Sequence, residues 1–212
     1  KPRSTPPGSG AKAASAAPSP AELNQLVALF QTGRYADLES QARAMLERYP
    51  DSGFAWKTLG LALQAQNKDA LPALQQAADL SPNDAQAHYN LGQALQALGQ
   101  LERAVSSYQR ALALKPDYSQ AHNNLGIVMK DIGQIDAAAA SLRRALETWP
   151  GNAMAHYNLG AALRDLGQLD GAAANFRRAI EIQPDYAQAH NNLGIVMKDL
   201  GQIADSAASF RR

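Results

Sequence analysis

Four histidines, His88, His122, His156 and His190, recur at intervals of 34 residues. Imidazole can hold a metal or move a proton, so four in one chain raise both chemistries. Zinc, however, gathers its nitrogens at roughly 2.0–2.1 Å from a single ion. Residues one period apart on packed helices stand about 10 Å from one another. The spacing points to core packing rather than to a metal site, and no cofactor is expected. Nor is there a Gly-rich phosphate loop, a G-x-S-x-G elbow or an HExxH motif. Cysteine is absent, which removes thiolate ligands, thiol nucleophiles and disulfides together. These residues are not expected to form an enzyme.

A second chemistry repeats on the same period. Gln120 to Ile135 reads QAHNNLGIVMKDIGQI, and Gln188 to Ile203 repeats it with one change. Counting each period from Ala85, Ser119, Ala153 and Ala187 as position 1, an asparagine stands at position 6 every time: Asn90, Asn124, Asn158 and Asn192. A carboxamide offers an acceptor and two donors, matching a peptide group that needs one of each. Set about 10 Å apart, such amides fall close to three residues of extended peptide at ~3.4 Å each. Repetition then builds a long surface able to grip backbone irrespective of sequence.

Helices must position these residues. Pro50, Pro82, Pro116, Pro150 and Pro184 keep nearly the same step, as do the Leu-Gly pairs at 59–60, 91–92, 125–126, 159–160 and 193–194. A second glycine follows at Gly99, Gly133, Gly167 and Gly201, with Gly33 earlier and Asn67 near that place in a unit two residues short. Each period therefore reads as two helices of about 14 residues. Glycine, or Asn67, supplies the left-handed turn between them, and proline ends the second. The polar residue after proline, Asp51, Asn83, Asp117 or Asp185, is expected near the next N-cap, with Gly151 a weaker choice.

Turning the first helix by ~100° per residue puts positions 4, 7, 8, 11 and 14 on one packed face. For two periods these are His88, Leu91, Gly92, Leu95 and Leu98, then His122, Leu125, Gly126, Met129 and Ile132. The glycine admits a close neighbour, with Tyr108, Leu142, Phe176 or Phe210 filling the space between small residues. Positions 2, 5, 6, 9, 12 and 13 point away from the core. Beside the four asparagines, the candidate peptide-binding residues are Asn123, Asn191, Tyr89 and Tyr157 at position 5 and Gln93, Ile127 and Ile195 at position 9. Gln120 and Gln188 at position 2, with Lys130, Arg164 and Lys198 at position 12, complete the set.

The 212 residues are 46% hydrophobic, ample for a core, and the net charge of +1 gives no field for collecting nucleic acid or membrane. Neither partner is expected. No apolar run approaches the roughly 18 residues of a membrane span, and a cytoplasmic location is expected. Residues 1–20 hold Lys1, Arg3 and Lys12 but no acid and no large apolar side chain, and read as a flexible basic tail. The chain begins at Lys1, so an upstream segment is conceivable, and it ends at Arg212 within a second helix, which marks a fragment or a self-associating end.

The period, with Trp or His at position 4, Leu-Gly at 7 and 8, Gly at 15, Ala at 20 and 27 and Pro at 32, resembles the tetratricopeptide repeat. The resemblance covers residues 21–212 and implies an all-α, right-handed α-solenoid of about six units. These run 21–52, 53–84, 85–118, 119–152, 153–186 and 187–212, the last truncated, with Ser206 in place of Ala at position 20. Within that family AHNNLG, AHYNLG, KDLGQ and YQRALALKPD look most like the repeats ahead of the catalytic region of O-linked N-acetylglucosamine transferases and their bacterial relatives. That likeness implies an asparagine ladder at Asn90, Asn124, Asn158 and Asn192. A second Asn common at position 9 there is replaced by Gln93, Ile127, Ala161 and Ile195. Another subclass clamps a C-terminal carboxylate with lysine at position 5. Here that position holds Lys57, Tyr89, Asn123, Tyr157 and Asn191. The expected function is a non-catalytic scaffold for protein or extended peptide, as the substrate-recognition arm of a larger glycosyltransferase-like protein. The alternatives are a free-standing or self-associating scaffold with one partner, or, least favoured, an enzyme.

Overall fold

The computed structural model describes residues 17–201. The chain runs through α1 (Pro20–Gln31), α2 (Tyr35–Arg48), α3 (Gly53–Ala65), α4 (Leu71–Leu80), α5 (Ala85–Ala97) and α6 (Leu101–Leu114). It continues through α7 (Ser119–Asp131), α8 (Ile135–Thr148), α9 (Ala153–Asp165), α10 (Leu169–Ile182) and α11 (Ala187–Asp199). The described residues form an all-α repeat superhelix without strands. Residues 1–16 of the tail, and residues 202–212 with Ser206 and Phe210, lie outside the described residues.

Turn chemistry sets the helix ends. Gly33, Gly99, Gly133, Gly167, Gly201 and Asn67 all have positive φ, Asn67 at 55°. These are the glycines read as turns from sequence, with asparagine, the best substitute, in the short unit. The N-caps fall one residue later than expected. Ser52, Asp84 and Asn152 accept from the first-turn backbone, while Tyr118 and Tyr186 take the same place without a side-chain bond. The residue after proline is still in the turn, and Gly151 is therefore no cap at all. The folded part also begins earlier than residue 21: Ser19 caps α1 in a reciprocal box with Glu22, and Pro20 opens the helix.

From α1 to α9, each odd-numbered helix packs on the even-numbered helix that follows it. A Cβ on Gly126 would lie 2.6 Å from Leu142 Cγ and 3.1 Å from the Ala138 carbonyl. On Gly92 it would lie 2.6 Å from the Tyr108 ring, and on Gly160 2.8 Å from Phe176. The large side chain thus lies on bare backbone. Odd helices also pack on the even helix before them, as α7 does on α6 and α9 on α8. That second contact buries positions 3 and 10, including Ala121, Val128, Ala155, Ala162, Ala189 and Val196, each at 0% exposure. One packed face was expected; a helix sandwiched between two neighbours has two. Conversely Leu98, placed in the core by periodicity, is 57% exposed at the C-cap of α5, whereas Ile132, Leu166 and Leu200 in the same register are half-buried.

Successive odd helices touch from α3 to α11, whereas successive even helices share no comparable contact. The odd helices therefore line the inner wall. At the N-terminal end Glu39 on α2 accepts from Lys68 at 2.7 Å, from Arg43 at 2.9 Å and from Gln66 at 3.1 Å. The Lys68 ammonium, then Arg43, holds its carboxyl down at about 2, from 4.5.

Gly126→Ala should overpack the α7–α8 contact and cost about 1–3 kcal/mol, and Gly126→Leu should lower the melting point further; a urea titration reads both. Because the Glu39 pKa is depressed on folding, its contribution is complete above the unfolded pKa and fades as pH falls toward the folded one. The loss of melting temperature in Glu39→Gln should accordingly shrink between about pH 5 and pH 2.

Candidate functional site

The position-6 amides reach backward along the inner wall to position 5 of the preceding odd helix. Asn124 Nδ2 donates to the Tyr89 hydroxyl at 3.2 Å, Asn158 Nδ2 to Asn123 Oδ1 at 3.1 Å, and Asn192 Nδ2 to the Tyr157 hydroxyl at 3.0 Å. The acceptor alternates between phenol and amide while the donor stays the same. A carboxamide carries two N–H groups, so the half-buried Asn158 and Asn192 each retain one, whereas Asn124 also meets the Tyr108 hydroxyl and accepts from Asn123 at 3.2 Å. Asn158 Oδ1 also accepts nothing within the described chain.

Asn90 departs from this rule. Its Oδ1 accepts from Gln86 at 2.8 Å, but its Nδ2 is buried without a partner. Position 5 of the preceding helix is Lys57, a donor only, and it is engaged with Asp84 at 2.5 Å. At 2% exposure Asn90 cannot present an amide to a ligand, and Asn123, at 4%, is likewise enclosed. Both were placed on the outward face by periodicity. Burial corrects this, because the adjacent repeat covers the side of the helix that periodicity alone leaves open. Asn191, in the register of Asn123 on α11, is exposed.

Tyr89 and Tyr157 are half-buried in aromatic stacks rather than standing free. Tyr89 lies 4.8 Å from the Tyr118 ring and 5.9 Å from Tyr108; Tyr157 lies 5.1 Å from Tyr186 and 5.8 Å from Phe176. Burial raises the Tyr89 phenol and lifts Tyr118 to about 12, so both remain protonated hydroxyls at neutral pH. Tyr118 donates to Gln86 Oε1 at 2.6 Å. Tyr118, Tyr186 and Gln86 were not among the sequence candidates, although Tyr at position 34 accompanies Tyr at position 5 in both of these units.

Of the remaining candidates, Gln93, Ile127, Ile195, Lys130 and Arg164 are half-buried, and Gln120, Gln188 and Lys198 are exposed. Arg164 joins the amide array through Asn192 Oδ1 at 3.4 Å and also meets Asp165. Lys130 stands 3.9 Å from Asp131. No hydrogen bond ties Gln93, Gln120 or Gln188 to the array among the described residues. The wall thus presents amide edges, two half-buried isoleucines and a row of cations at position 12.

The histidines have a role that spacing did not disclose. Nε2 of His88, His122, His156 and His190 lies 2.9–3.2 Å from the carbonyl of the proline six residues earlier. Trp56 Nε1 donates to Pro50 in the same way at 2.8 Å. Both rings can bring an N–H to that carbonyl, which explains why Trp and His exchange at this position. Among the described residues no group of three or more His, Asp or Glu side chains is placed to hold a metal.

The two kinds of asparagine separate in a mutational test. Asn158→Ala strips the donor from the buried Asn123 carbonyl and should cost about 1–3 kcal/mol. Asn90→Ala, which removes an already unpartnered donor, should cost clearly less in parallel urea titrations.

Comparison with known proteins agrees with this architecture. A TPR repeat model matches residues 61–99 and 160–201, and two tetratricopeptide repeat models match 85–118 and 107–140. No curated protein matches the chain. Among solved structures, MamA from Desulfovibrio magneticus RS-1, residues 41 to the end, is 25% identical, with a TM-score of 0.71 over 75% of this chain and 91% of that one. Pseudomonas aeruginosa pilF is 19% identical, with a TM-score of 0.78 over 90% and 87%. YrrB, described as a TPR protein with an unusual peptide-binding site, is 24% identical, with a TM-score of 0.70 over 79% and 88%. The last two likenesses speak to the fold alone. The repeat models together span more than half of the sequence, and they meet the helix pairs, turn glycines and inner wall described above: the chain belongs to the tetratricopeptide repeat family.

Proposed function

We propose that the chain is a non-catalytic scaffold that binds extended segments of protein partners along its inner wall. The observation that carries this reading is the half-committed state of Asn158 and Asn192, each with one N–H held by the preceding helix, beside Asn124, which is anchored on Tyr89 and also meets Tyr108. The hydrogen bond fixes the amide plane, so the remaining N–H is already oriented when a peptide carbonyl arrives. Ile127 and Ile195 add apolar contact between the amides, and Lys130, Arg164 and Lys198, each followed by an aspartate, offer donors beside them without a net charge. The ladder proposed here is shorter than one rung per unit, because Asn90 and Asn123 are enclosed. The repeat region, read from sequence as 21–212 after a tail of residues 1–20, takes in the Ser19 cap and Pro20 of α1, and the proposed location is the cytoplasm. The repeat motifs further favour a substrate-selecting arm of a glycosyltransferase-like protein.

A second reading has an observation of its own. At the N-terminal end Leu26, Val27, Phe30, Phe54, Lys57 and Leu61 line an apolar recess of 140 Å³, with Val27 and Phe30 39% and 42% exposed. Such a recess suits one dedicated partner that inserts a side chain.

The Asn124→Ala/Asn158→Ala double variant separates the two. Capture from lysate beside the wild type, with folding checked by circular dichroism, should show many unrelated proteins lost together, and isolated peptides should bind at least ~1 kcal/mol more weakly. One dominant protein, retained by the folded variant, would favour the recess instead. The transferase reading fails if the full-length protein does not continue into a sugar-nucleotide-binding domain.

A further inference from the structure

Comparing helices in the same register isolates residues that the repeat itself does not need. On α6 the face turned toward α4 carries Arg103, Ser106, Ser107 and Arg110. The same positions are Ala137, Ala140, Ser141 and Arg144 on α8, and Gly171, Ala174, Asn175 and Arg178 on α10. Arg103 and Ser106 are thus particular to α6, where the other helices carry alanine or glycine, whereas Ser107 and Arg110 keep the polar character that Ser141, Asn175, Arg144 and Arg178 have in the same register.

Charge pairing differs in the same place. Arg144 and Arg178 each meet a glutamate three residues on, Glu147 and Glu181, both at 2.8 Å. Arg110 has Ala113 there and donates instead to the Pro82 carbonyl at 3.0 Å. Arg103 donates to Gln75 at 3.2 Å and to Gln100. Neither guanidinium has a carboxylate within ion-pair reach among the described residues. Both are held across the groove by neutral acceptors, which orient them and leave their charge uncompensated. Between them Ser107 is only 8% exposed, and its hydroxyl makes no hydrogen bond among the described residues. A helical serine commonly satisfies itself on the carbonyl four residues back, as Ser106 does on Glu102 at 3.1 Å. These groups border one cavity of 290 Å³ on the outer side of the superhelix, floored by Leu91 and Leu95.

We propose that this outer cavity between α4 and α6 is an oxyanion site, in which Arg103 and Arg110 supply the charge and Ser107 an unpartnered donor. The ligand is a phosphate or carboxylate group, either free in solution or borne by a protein partner. His88 also lines the cavity, but its Nε2 is held by Pro82. Asp79, on the α4 rim with its carboxylate accepting from Gln75, opposes the ligand's charge and gives the site a test of sign. The site is independent of the inner wall, so either proposal can fail alone.

The test is an NMR titration of the purified chain with inorganic phosphate, and separately with a glutamate-rich peptide, at constant ionic strength. Saturable shifts at Ser107 and the two arginine side chains are expected with at least one probe. A response to phosphate alone identifies a free or esterified phosphate, and a response to the peptide alone identifies an acidic chain. Arg103→Gln/Arg110→Gln should weaken binding about tenfold or more, and Asp79→Asn should strengthen it, with melting curves confirming that both variants fold. No saturable shift with either probe, or affinity unchanged in the arginine variant, overturns the proposal. So does an Asp79→Asn variant that binds more weakly.

Discussion

Everything in this molecule depends on how closely two helices approach at the glycine of each Leu-Gly pair. The ring of Tyr108 or Phe176, or the branched end of Leu142, occupies the volume that any side chain at Gly92, Gly160 or Gly126 would need. Dispersion is steep at such distances, so this contact fixes the separation and angle of the pair within narrow limits. Identical pairs then stack with an identical offset. Curvature follows from that offset, with odd helices gathered inside and even helices spread outside.

The inner wall is held by the same amides that could serve a partner. Holding the stack and meeting a ligand are compatible here because a carboxamide is multivalent, and one bond immobilises it without exhausting it. Where the preceding helix offers a hydroxyl or carbonyl oxygen, the asparagine is anchored and half-free. Where it offers only an ammonium, as at Lys57, the asparagine is left buried and incomplete. Electrostatics at that junction pass instead to the bridge from Lys57 to Asp84, whose carboxylate is kept below its ordinary range mainly by this lysine, against the opposing effect of burial.

What could be read from residues alone was whatever the backbone demands locally. Turn glycines, Asn67, the prolines and the Leu-Gly pairs are answers to local geometry, and they declare the helices and the period without reference to neighbours. The features that escaped belong to contacts between repeats. Val128 and Val196 looked neutral to a one-face pattern but are sealed by the preceding even helix; Leu98 looked buried but is exposed, unlike Ile132, Leu166 and Leu200 in its register. Asn90 and Asn123 appeared outward for the same reason, since a wheel drawn for one helix cannot show the helix laid beside it. The histidines were legible as structural and not as to what they touch, because their acceptor is a main-chain carbonyl that no side-chain pattern advertises. The pairing of Tyr89 with Tyr118 and of Tyr157 with Tyr186 was a visible covariation within the chain, and it was the one missed signal that sequence did contain.

The backward-reaching amide also bears on how such a chain can grow. Each copied segment from Ala85 onward brings a donor for the helix behind it and an acceptor for the helix ahead, and phenol and amide oxygens are interchangeable in the second role. A duplication or loss of one whole segment therefore leaves every internal junction satisfied, whichever kind lands next to which. The lysine at position 57 marks the one junction where this fails, since the asparagine that follows it, Asn90, already has a stranded Nδ2.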